Sequence, residues 1–550
     1  MGRYVVGVDF GTLSGRAVLV DVENGEEIAC SVYDYPHGVM DEKLPSGMPL
    51  RAGWALQHPT DYIQVLSHTL PEVLRQSGVE AGQVKGIGVD FTACTLIPCL
   101  ADGTPLCFAP QYRERPHAYA KLWKHHAAQD KADAINALAE ERGEAFLARY
   151  GGKTSSEWLL PKVWQMLEED EELYRKTACF VEATDWIVWQ LTGKLNRSAC
   201  TLGYKALWSP ETGFPAGEFL RALHPMLERM PQEKLYGPIL PLGAKAGEVT
   251  EEAASLTGLQ AGTAVAVGNV DAHVTVPAVG IQGPGKLLAI LGTSTCHMLL
   301  GEREANVPGI CGVVKDGILP GLYGYEAGQS CVGDHFAWFI ENCLPGSYRD
   351  EAAEQGKNIH AYLREKAQKL RPGESGLLAL DWWNGNRSVL VDADLSGLLL
   401  GMTLQTKPEE IYRALIEATA YGTRRIIEAF EENGVPVEEF YASGGISQKD
   451  GMAMQIYADV TGKPVHITGA AQGPALGAAL FGAVAAGEYA SIGEASARMA
   501  KGAERVYRPV EENRRIYDTL YREYLRLHDC FGRGENDVMK RLRELKNGGK

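Results

Sequence analysis

Four residues suited to phosphate chemistry fall within eight positions near the start of the sequence. Asp9 carries a carboxylate that can face a magnesium ion. Hydrogen bonds to phosphate oxygens can come from Thr12, Ser14 and Arg16, and the intervening glycines let backbone amides approach a ligand. Valine-rich runs flank the stretch on both sides, which predicts two strands joined by a tight turn. The sequence therefore predicts a hairpin whose turn holds a phosphate and a metal ion.

A second stretch, at residues 286–301, repeats this plan. It has an apolar run, the turn residues Gly292, Thr293 and Ser294, and another apolar run. It lacks a carboxylate at the position that corresponds to Asp9. We interpret the two stretches as an internal duplication in which only the first copy keeps an acidic residue. The alternative is that two Gly-Thr hairpins arose independently.

One further carboxylate stands out by its position. Asp271 ends the apolar run 264–270 and comes just before a connector rich in glycine and proline. A carboxylate beside a cleft can accept the proton of a hydroxyl group as its oxygen attacks a γ-phosphate. The alternative is a capping or turn-forming aspartate, which is a common role at the end of a strand.

Four other residues carry weaker signals. Gly444 and Gly445 follow a predicted strand and leave backbone room for a flat ligand such as adenine, although any turn from a strand to a helix can use glycines. Glu326 follows a short strand and is placed to enter a cleft. Lys205 is by default a solvated cation.

The composition is that of an ordinary globular protein and excludes several classes of function. A net charge of −16 argues against binding to nucleic acid or to an anionic membrane, since both need clustered lysine and arginine. The eleven cysteines have no metal-binding spacing, so we expect free thiols. We find neither a signal peptide nor an apolar run long enough to cross a membrane, and we expect a cytoplasmic protein.

The order of predicted elements indicates an α/β protein with two domains and a cleft between them. At 550 residues the chain is too long for a single core. We place the first domain at residues 1–280, the second at 281–500 and a C-terminal helical tail at 501–550. Within the first domain, residues 115–191 have helical patterns, and we expect a helical insertion without sheet.

Taken together, these motifs resemble the FGGY family of carbohydrate kinases, members of the actin, Hsp70 and hexokinase superfamily. The resemblance implies two ribonuclease H-like domains that face an interdomain cleft, with ATP mainly on the second domain and the sugar mainly on the first. The stretches that carry it are residues 7–12, 122–126, 155–158, 203–208, 292–298, 307–312, 326–330, 384–387 and 442–446.

The resemblance also implies a role for each candidate residue. Asp271 corresponds to the catalytic base, and Asp9 to the residue beside Mg²⁺; whether Asp90 shares the metal is left open. The positions expected to contact the sugar are Ala93, Lys205, Asp271 and Glu326. Those expected to contact ATP or its phosphates are Thr12, Ser14, Arg16, Gly292, Thr293, Ser294, Gly444 and Gly445.

Within the family, the resemblance is most specific to the kinases that phosphorylate L-ribulose at its 5-hydroxyl, an early step of arabinose breakdown. It implies ATP and Mg²⁺ as the cofactors, a small sugar as the substrate and a homodimer as the assembly. Strictness between L- and D-ribulose is not readable from the sequence. One alternative is a family member for another ketopentose or a polyol, such as xylulose or ribitol. The other is an ATPase switch of the actin or Hsp70 kind.

Overall fold

Two seven-stranded sheets, one from each half of the sequence, organise the chain. The computed structural model describes residues 2–546. The strands of the first half are β1 (Tyr4–Phe10), β2 (Ser14–Asp21), β3 (Glu27–Asp34), β4 (Leu56–Gln57), β5 (Val84–Phe91), β6 (Leu96–Cys99), β7 (Ala120–Lys121), β8 (Cys179–Glu182), β9 (Arg197–Ser198), β10 (Ile239–Leu240), β11 (Lys245–Glu248), β12 (Ala264–Ala266) and β13 (Asn269–Val270). Its helices are α1 (Pro59–Ser77), α2 (Gln129–Arg142), α3 (Leu159–Glu169), α4 (Glu171–Lys176), α5 (Ala183–Thr192), α6 (Ala199–Lys205), α7 (Gly217–Leu223), α8 (Met230–Lys234), α9 (Glu251–Thr257) and α10 (Asp271–Ala278).

The first sheet has the order β11-β12-β5-β1-β2-β3, with β13 also paired to β5. The predicted first hairpin is β1 and β2, which pair antiparallel, and β1 pairs parallel with β5. In this register Asp9 lies between Arg16 on one side and Asp90 on the other. Side chains at paired positions share a face of the sheet, so two carboxylates and a guanidinium meet at one edge.

The second half supplies the other sheet. Its strands are β14 (Gly285–Leu291), β15 (Thr295–Gly301), β16 (Gly312–Lys315), β17 (Tyr323–Gln329), β18 (Leu378–Leu380), β19 (Leu398–Leu400), β20 (Val437–Ser443), β21 (Val465–Thr468) and β22 (Ala503–Tyr507). Its helices are α11 (Gly333–Asn342), α12 (Gly346–Glu354), α13 (Ile359–Ala367), α14 (Pro408–Glu432), α15 (Gly445–Lys449), α16 (Gly451–Thr461), α17 (Gly473–Ala485), α18 (Ile492–Met499), α19 (Glu511–Gly532) and α20 (Val538–Lys546).

The second sheet repeats the central pattern of the first. Its order is β16-β17-β15-β14-β20-β21-β22. The predicted second hairpin is β14 and β15, which pair antiparallel, and β14 pairs parallel with β20. A hairpin beside a parallel strand thus occurs once in each half. The predicted fold class, α/β with two related domains facing a cleft, is confirmed.

A helix from the second half packs on the sheet of the first. Helix α17, rich in alanine and glycine, lies against β1, β5 and α10. A Cβ on Gly7 would collide with the carbonyl oxygen of Ala475, and one on Gly88 would collide with that of Ala478. This close approach requires small residues on both surfaces. The two halves therefore meet through a tightly packed layer that contains α10 and α17.

The expectation of an insertion without sheet at residues 115–191 is wrong. Helices α2 to α5 lie there, but β7 and β8 join a four-stranded sheet of order β4-β7-β6-β8. Strand β8 is fully buried, and a short buried apolar run has no periodicity that separates a strand from a helix.

The C-terminal segment is also more than a helical tail. Its first element, β22, pairs with β21 at the edge of the second sheet. Helix α19 then buries Tyr517, Tyr521 and Tyr524 against the second half. The last residues of this predicted tail, 547–550, lie outside the described residues. None of the helices between residues 2 and 546 has both the length and the apolarity needed to cross a bilayer.

Candidate active site

A cavity of about 250 Å³ lies between the two hairpin turns. Residues of both halves line it, as expected for an interdomain cleft. The structure brings eight of the predicted site residues to its wall: Thr12, Ala93, Lys205, Asp271, Gly292, Thr293, Ser294 and Glu326.

An acidic edge lies beside this cavity. Asp9 and Asp90 are buried, at 6% and 0% exposure, and Asp271 follows the short strand that pairs with β5 at Asp90. Burial and the neighbouring charges of Asp9 and Asp271 raise the pKa of Asp90 well above its usual value. Burial raises the pKa of Asp9. Nε of Arg16 lies 3.2 Å from Oδ2 of Asp9, and the charge of Arg16 partly offsets this rise.

The residues at this edge fit a hard divalent cation. Neither carboxylate oxygen of Asp90 accepts a hydrogen bond from an N–H group or a hydroxyl of the described residues, although both are buried, and its hydrogen-bonding neighbour is the carboxyl of Asp9. Buried carboxylates normally have such donors, so this pair of oxygens beside Asp9 matches oxygen ligands for a metal. Within residues 2–546 no cluster of three or more His, Cys, Asp or Glu side chains could hold a metal ion. Mg²⁺ usually takes one or two carboxylates and completes its shell with water and phosphate, and Asp9 and Asp90 could supply those carboxylates.

Asp271 is the first residue of α10, at the end of β13. The amide of Ala272 donates a hydrogen bond of 2.7 Å to its Oδ1. Burial, together with the charge of Asp9, raises the pKa of Asp271 to about 7. A carboxylate of this pKa is suited to accept a proton near neutral pH.

The wall of the cavity also holds an ion pair between the two halves. Nζ of Lys205, at the end of α6, lies 2.7 Å from Oε1 of Glu326 on β17. The second oxygen of Glu326 lies 3.1 Å from Nε2 of His273, whose Nδ1 lies 3.1 Å from the thiol of Cys200. Burial raises the pKa of Glu326, but Lys205 and His273 outweigh burial and lower this pKa well below its usual range. Glu326 is therefore an ionised acceptor that faces the cavity.

The remaining predicted residues lie outside the cavity wall. Arg16 is turned towards Asp9 and donates a hydrogen bond of 2.9 Å to Gln472, and Ser14 begins β2. Gly444 has a φ of 92°, and a Cβ there would lie 2.5 Å from the carbonyl oxygen of Leu291, so this position requires glycine. A Cβ on Gly445 would meet only open space. The glycine pair thus lies beside the second hairpin with room for a ligand.

Family models match nearly the whole chain. The N-terminal domain of the FGGY family of carbohydrate kinases matches residues 4–278, and the C-terminal domain of the same family matches residues 287–486. The chain belongs to the FGGY family of carbohydrate kinases.

Curated relatives and solved structures agree with this assignment. The FGGY kinase described here is 58% identical to a ribulokinase of Halalkalibacterium halodurans, over 99% of this chain and 98% of the relative. It is 58% identical to a ribulokinase of Geobacillus thermodenitrificans, over 99% and 97% of the two chains. A gluconate kinase structure from Lactobacillus acidophilus shares the fold, with a TM-score of 0.79 at 17% identity and coverage of 97% and 99%.

Sequence reasoning missed part of the cavity wall of this FGGY kinase. Trp123, Glu157, Trp158 and Arg387 all line it. They lie in stretches that carry the family resemblance, and that was the only available signal. Nothing in their local patterns indicates a ligand. The first three lie in the insertion and Arg387 lies in the other half of the chain, so the sequence does not show that they meet at one cavity.

A buried lysine supports two loops at this cavity. Lys162 on α3 is fully buried, and its Nζ donates hydrogen bonds of 2.7 Å to the carbonyl of Cys94 and 2.9 Å to that of Leu122. Cys94 has a φ of 56°, which is uncommon for a residue other than glycine. The lysine thus fixes the loops that carry Ala93 and Trp123 to the cavity.

Proposed function

We propose that this carbohydrate kinase transfers the γ-phosphate of ATP to the 5-hydroxyl of L-ribulose. The observation that carries the proposal is a single cavity in which a carboxylate of raised pKa lies among two phosphate-type turns and a Lys-Glu pair. The choice of sugar is supported by the ribulokinase relatives, which align over almost the full length of both chains. D-ribulose is a second substrate to be compared.

Asp271 is the proposed base. Its carboxylate takes the proton of the sugar's terminal hydroxyl while the hydroxyl oxygen attacks the γ-phosphorus. The bond between the γ-phosphorus and the bridging oxygen breaks, and ADP leaves with the electron pair. Positioning of the two reactants supplies most of the rate in such transfers, and a base typically contributes a factor of roughly 10² to 10⁴.

The two turns are the proposed phosphate contacts. Thr12, Ser14 and Arg16 contribute hydroxyl and guanidinium donors from the first hairpin. Backbone amides and hydroxyls of Gly292, Thr293 and Ser294 contribute from the second hairpin. Donors fixed before the reaction stabilise the charge that develops on the transferred group. The adenosine is proposed to lie along Gly444 and Gly445, beside the second turn.

Asp9, with Asp90 beside it, is the proposed magnesium site. The buried oxygens of Asp90, to which no N–H group or hydroxyl of the described residues donates, support this placement. When bound there, Mg²⁺ would neutralise charge on the phosphates. Arg16, which now faces Asp9, would then be free to turn towards a phosphate oxygen.

The sugar is proposed to contact Ala93, Lys205 and Glu326. The ammonium of Lys205 can donate to sugar oxygens, and the ionised Glu326 can accept from hydroxyl groups. This reaction would be an early step of arabinose breakdown. We also propose that the protein is a homodimer, on the basis of the family resemblance, and that it is cytoplasmic, because it needs ATP.

A coupled assay of ADP formation with L-ribulose, D-ribulose, D-xylulose, ribitol and glycerol tests the proposal. We expect the highest kcat/KM for L-ribulose, with phosphate on carbon 5 by NMR. A higher kcat/KM for xylulose or ribitol would overturn the choice of substrate. ATP hydrolysis that is indifferent to every sugar would instead support the ATPase switch.

A further inference from the structure

An ion pair joins the two halves at the wall of the cavity. Glu157 precedes α3 in the first half, and Arg387 follows β18 in the second. Nη2 of Arg387 lies 3.2 Å from Oε1 of Glu157, and both side chains are 19% exposed. Because the two residues belong to different halves, this pair depends on the separation of the halves.

The same guanidinium lies over an aromatic ring of the first half. The guanidinium carbon of Arg387 is 5.5 Å from the centre of the Trp123 ring. This distance is within the range of a cation–π interaction. The planar guanidinium can therefore hold the indole in place while it pairs with Glu157.

The indole in turn contacts the first phosphate turn. Nε1 of Trp123 donates a hydrogen bond of 3.2 Å to Oγ1 of Thr12. Nε2 of Gln57 donates one of 2.7 Å to the carbonyl of the same residue. An indole can only donate, so it occupies an acceptor position of the Thr12 hydroxyl and leaves the hydroxyl proton free for another acceptor. A phosphate oxygen in the cavity is such an acceptor.

We propose that Glu157, Arg387 and Trp123 form a closure relay that couples closure of the two halves to the orientation of Thr12. When the halves close over a sugar, Arg387 meets Glu157 and fixes the indole, and the indole turns the Thr12 proton towards the transferred phosphate. When the halves are apart, Thr12 loses this orientation. The three residues are positioning residues, and the inference rests on the proposed function.

Kinetics of Arg387→Met and Trp123→Phe with L-ribulose and ATP test the relay. Trp123→Phe keeps the ring and removes the donor, and we expect kcat to fall roughly 5- to 10-fold with the KM for L-ribulose within about 3-fold. For Arg387→Met we expect kcat to fall by no more than this, roughly 5- to 10-fold, because the guanidinium acts on Thr12 only through the indole. A changed KM with unchanged kcat in both variants would mean simple sugar binding and would overturn the relay.

The matched control is another ion pair between the halves. Nε of Arg149 lies 3.0 Å from Oε1 of Glu304, and neither residue lines the cavity. We expect Arg149→Met to keep kcat within about 2-fold, since this pair lies outside the cavity that holds the reactants. An equal loss of kcat in Arg149→Met and Arg387→Met would mean that any contact between the halves suffices, which contradicts the relay.

The double variant Arg387→Met/Trp123→Phe tests the route. If Arg387 acts through the indole, the double variant is about as slow as Trp123→Phe alone. Losses that multiply would overturn the route through Trp123.

If Arg387→Met does not fold, as judged by circular dichroism, Trp123→Phe alone decides, and a wild-type kcat in it overturns the relay. If the wild-type protein does not phosphorylate L-ribulose, the proposed function fails; an active wild type with unaffected variants overturns only the relay.

Discussion

The two hairpins share a backbone plan and differ in chemistry. In the first, the amide of Gly11 donates to the carbonyl of Ser14 at 2.9 Å, and in the second that of Gly292 donates to Ser294 at 3.0 Å. The second turn is one residue shorter. The cross-strand pair beside the turn is Asp9 with Arg16 in the first hairpin, but Ile290 with Cys296 in the second. Charge is therefore concentrated on one side of the cleft, which is why we place the metal there.

The turns are also held in different ways. Side chains and backbone both hold the first: the hydroxyl of Tyr35 donates to the carbonyl of Gly11 at 3.0 Å, the amide of Tyr35 donates to the carbonyl of Leu13 at 2.9 Å, and Gln57 and Trp123 contact Thr12. Backbone holds the second, since the amide of Gly333 at the start of α11 donates to the carbonyl of Gly292 at 2.9 Å. We infer that closure acts on the first turn through these side chains, and that the second turn serves as a platform for the nucleotide.

The largest effect expected from this comparison comes from the acidic residue itself. Asp9→Asn should lower kcat roughly 100-fold and raise the magnesium concentration needed for half-maximal rate, because the charge that faces the cation is lost. Ile290→Val, at the corresponding position of the second hairpin, should change kcat by less than about 3-fold, since only packing is altered. Titration of Mg²⁺ in steady-state assays measures kcat and the magnesium requirement of both variants. Equal responses would remove the difference between the hairpins.

A smaller effect is expected on the sugar side. Lys205→Ala should raise the KM for L-ribulose roughly 30-fold and leave the KM for ATP nearly unchanged, because it removes a donor to the sugar and leaves Glu326 without its cation. Initial rates over a grid of both substrates separate the two constants. A shift in the KM for ATP alone would contradict the placement of Lys205.

The pH profile is expected to reflect the first hairpin as well. The pKa of Asp271 is raised to about 7 by burial and by Asp9, so the base is protonated and inactive below that pH. We expect kcat/KM to fall tenfold per pH unit on the acid side, with a midpoint at or below about pH 7, because a bound cation lowers it further. In Asp9→Asn the midpoint measured at low Mg²⁺ should move down. A midpoint that moves up would be inconsistent with Asp9 raising this pKa.

The smallest effect is expected at the second turn. A Cβ on Gly333 would lie 2.7 Å from the carbonyl oxygen of Gly292, so Gly333→Ala should displace the platform and raise the KM for ATP roughly 5-fold. Gly346→Ala, at the start of α12, has open space around the new Cβ and serves as the control. If Gly333→Ala changes only the KM for the sugar, the second turn is not the nucleotide platform.

Local sequence patterns were enough to predict the structures formed by neighbouring residues. Both hairpins follow from their apolar runs and Gly-Thr turns, and the α/β class follows from the order of predicted elements; the ribonuclease H-like form of the two domains came from the family resemblance. The roles of Lys205 and Glu326 in binding the sugar came only from the family resemblance, whereas the role of Asp271 as a base was also indicated by its place beside the predicted cleft; all three stay predictions. The structure adds that all three face one cavity.

Contacts between distant segments could not be predicted. Glu157 and Arg387 are 230 positions apart and meet only because the halves close on each other. Likewise, no sequence pattern shows that the glycines of α17 pack against the sheet of the first half. The strand β8 was missed because it is buried on every side and therefore has no alternation.

The measurement that tests the central claim most directly is the turnover of Asp271→Asn with L-ribulose. The account predicts a loss of kcat of roughly 1,000-fold, because the base between the two turns is removed. The affinity for L-ribulose, measured by calorimetry, should stay within about 3-fold, since asparagine keeps the shape of the side chain. A variant with near-normal kcat would contradict the assignment of Asp271 as the base, and with it the account of the cleft.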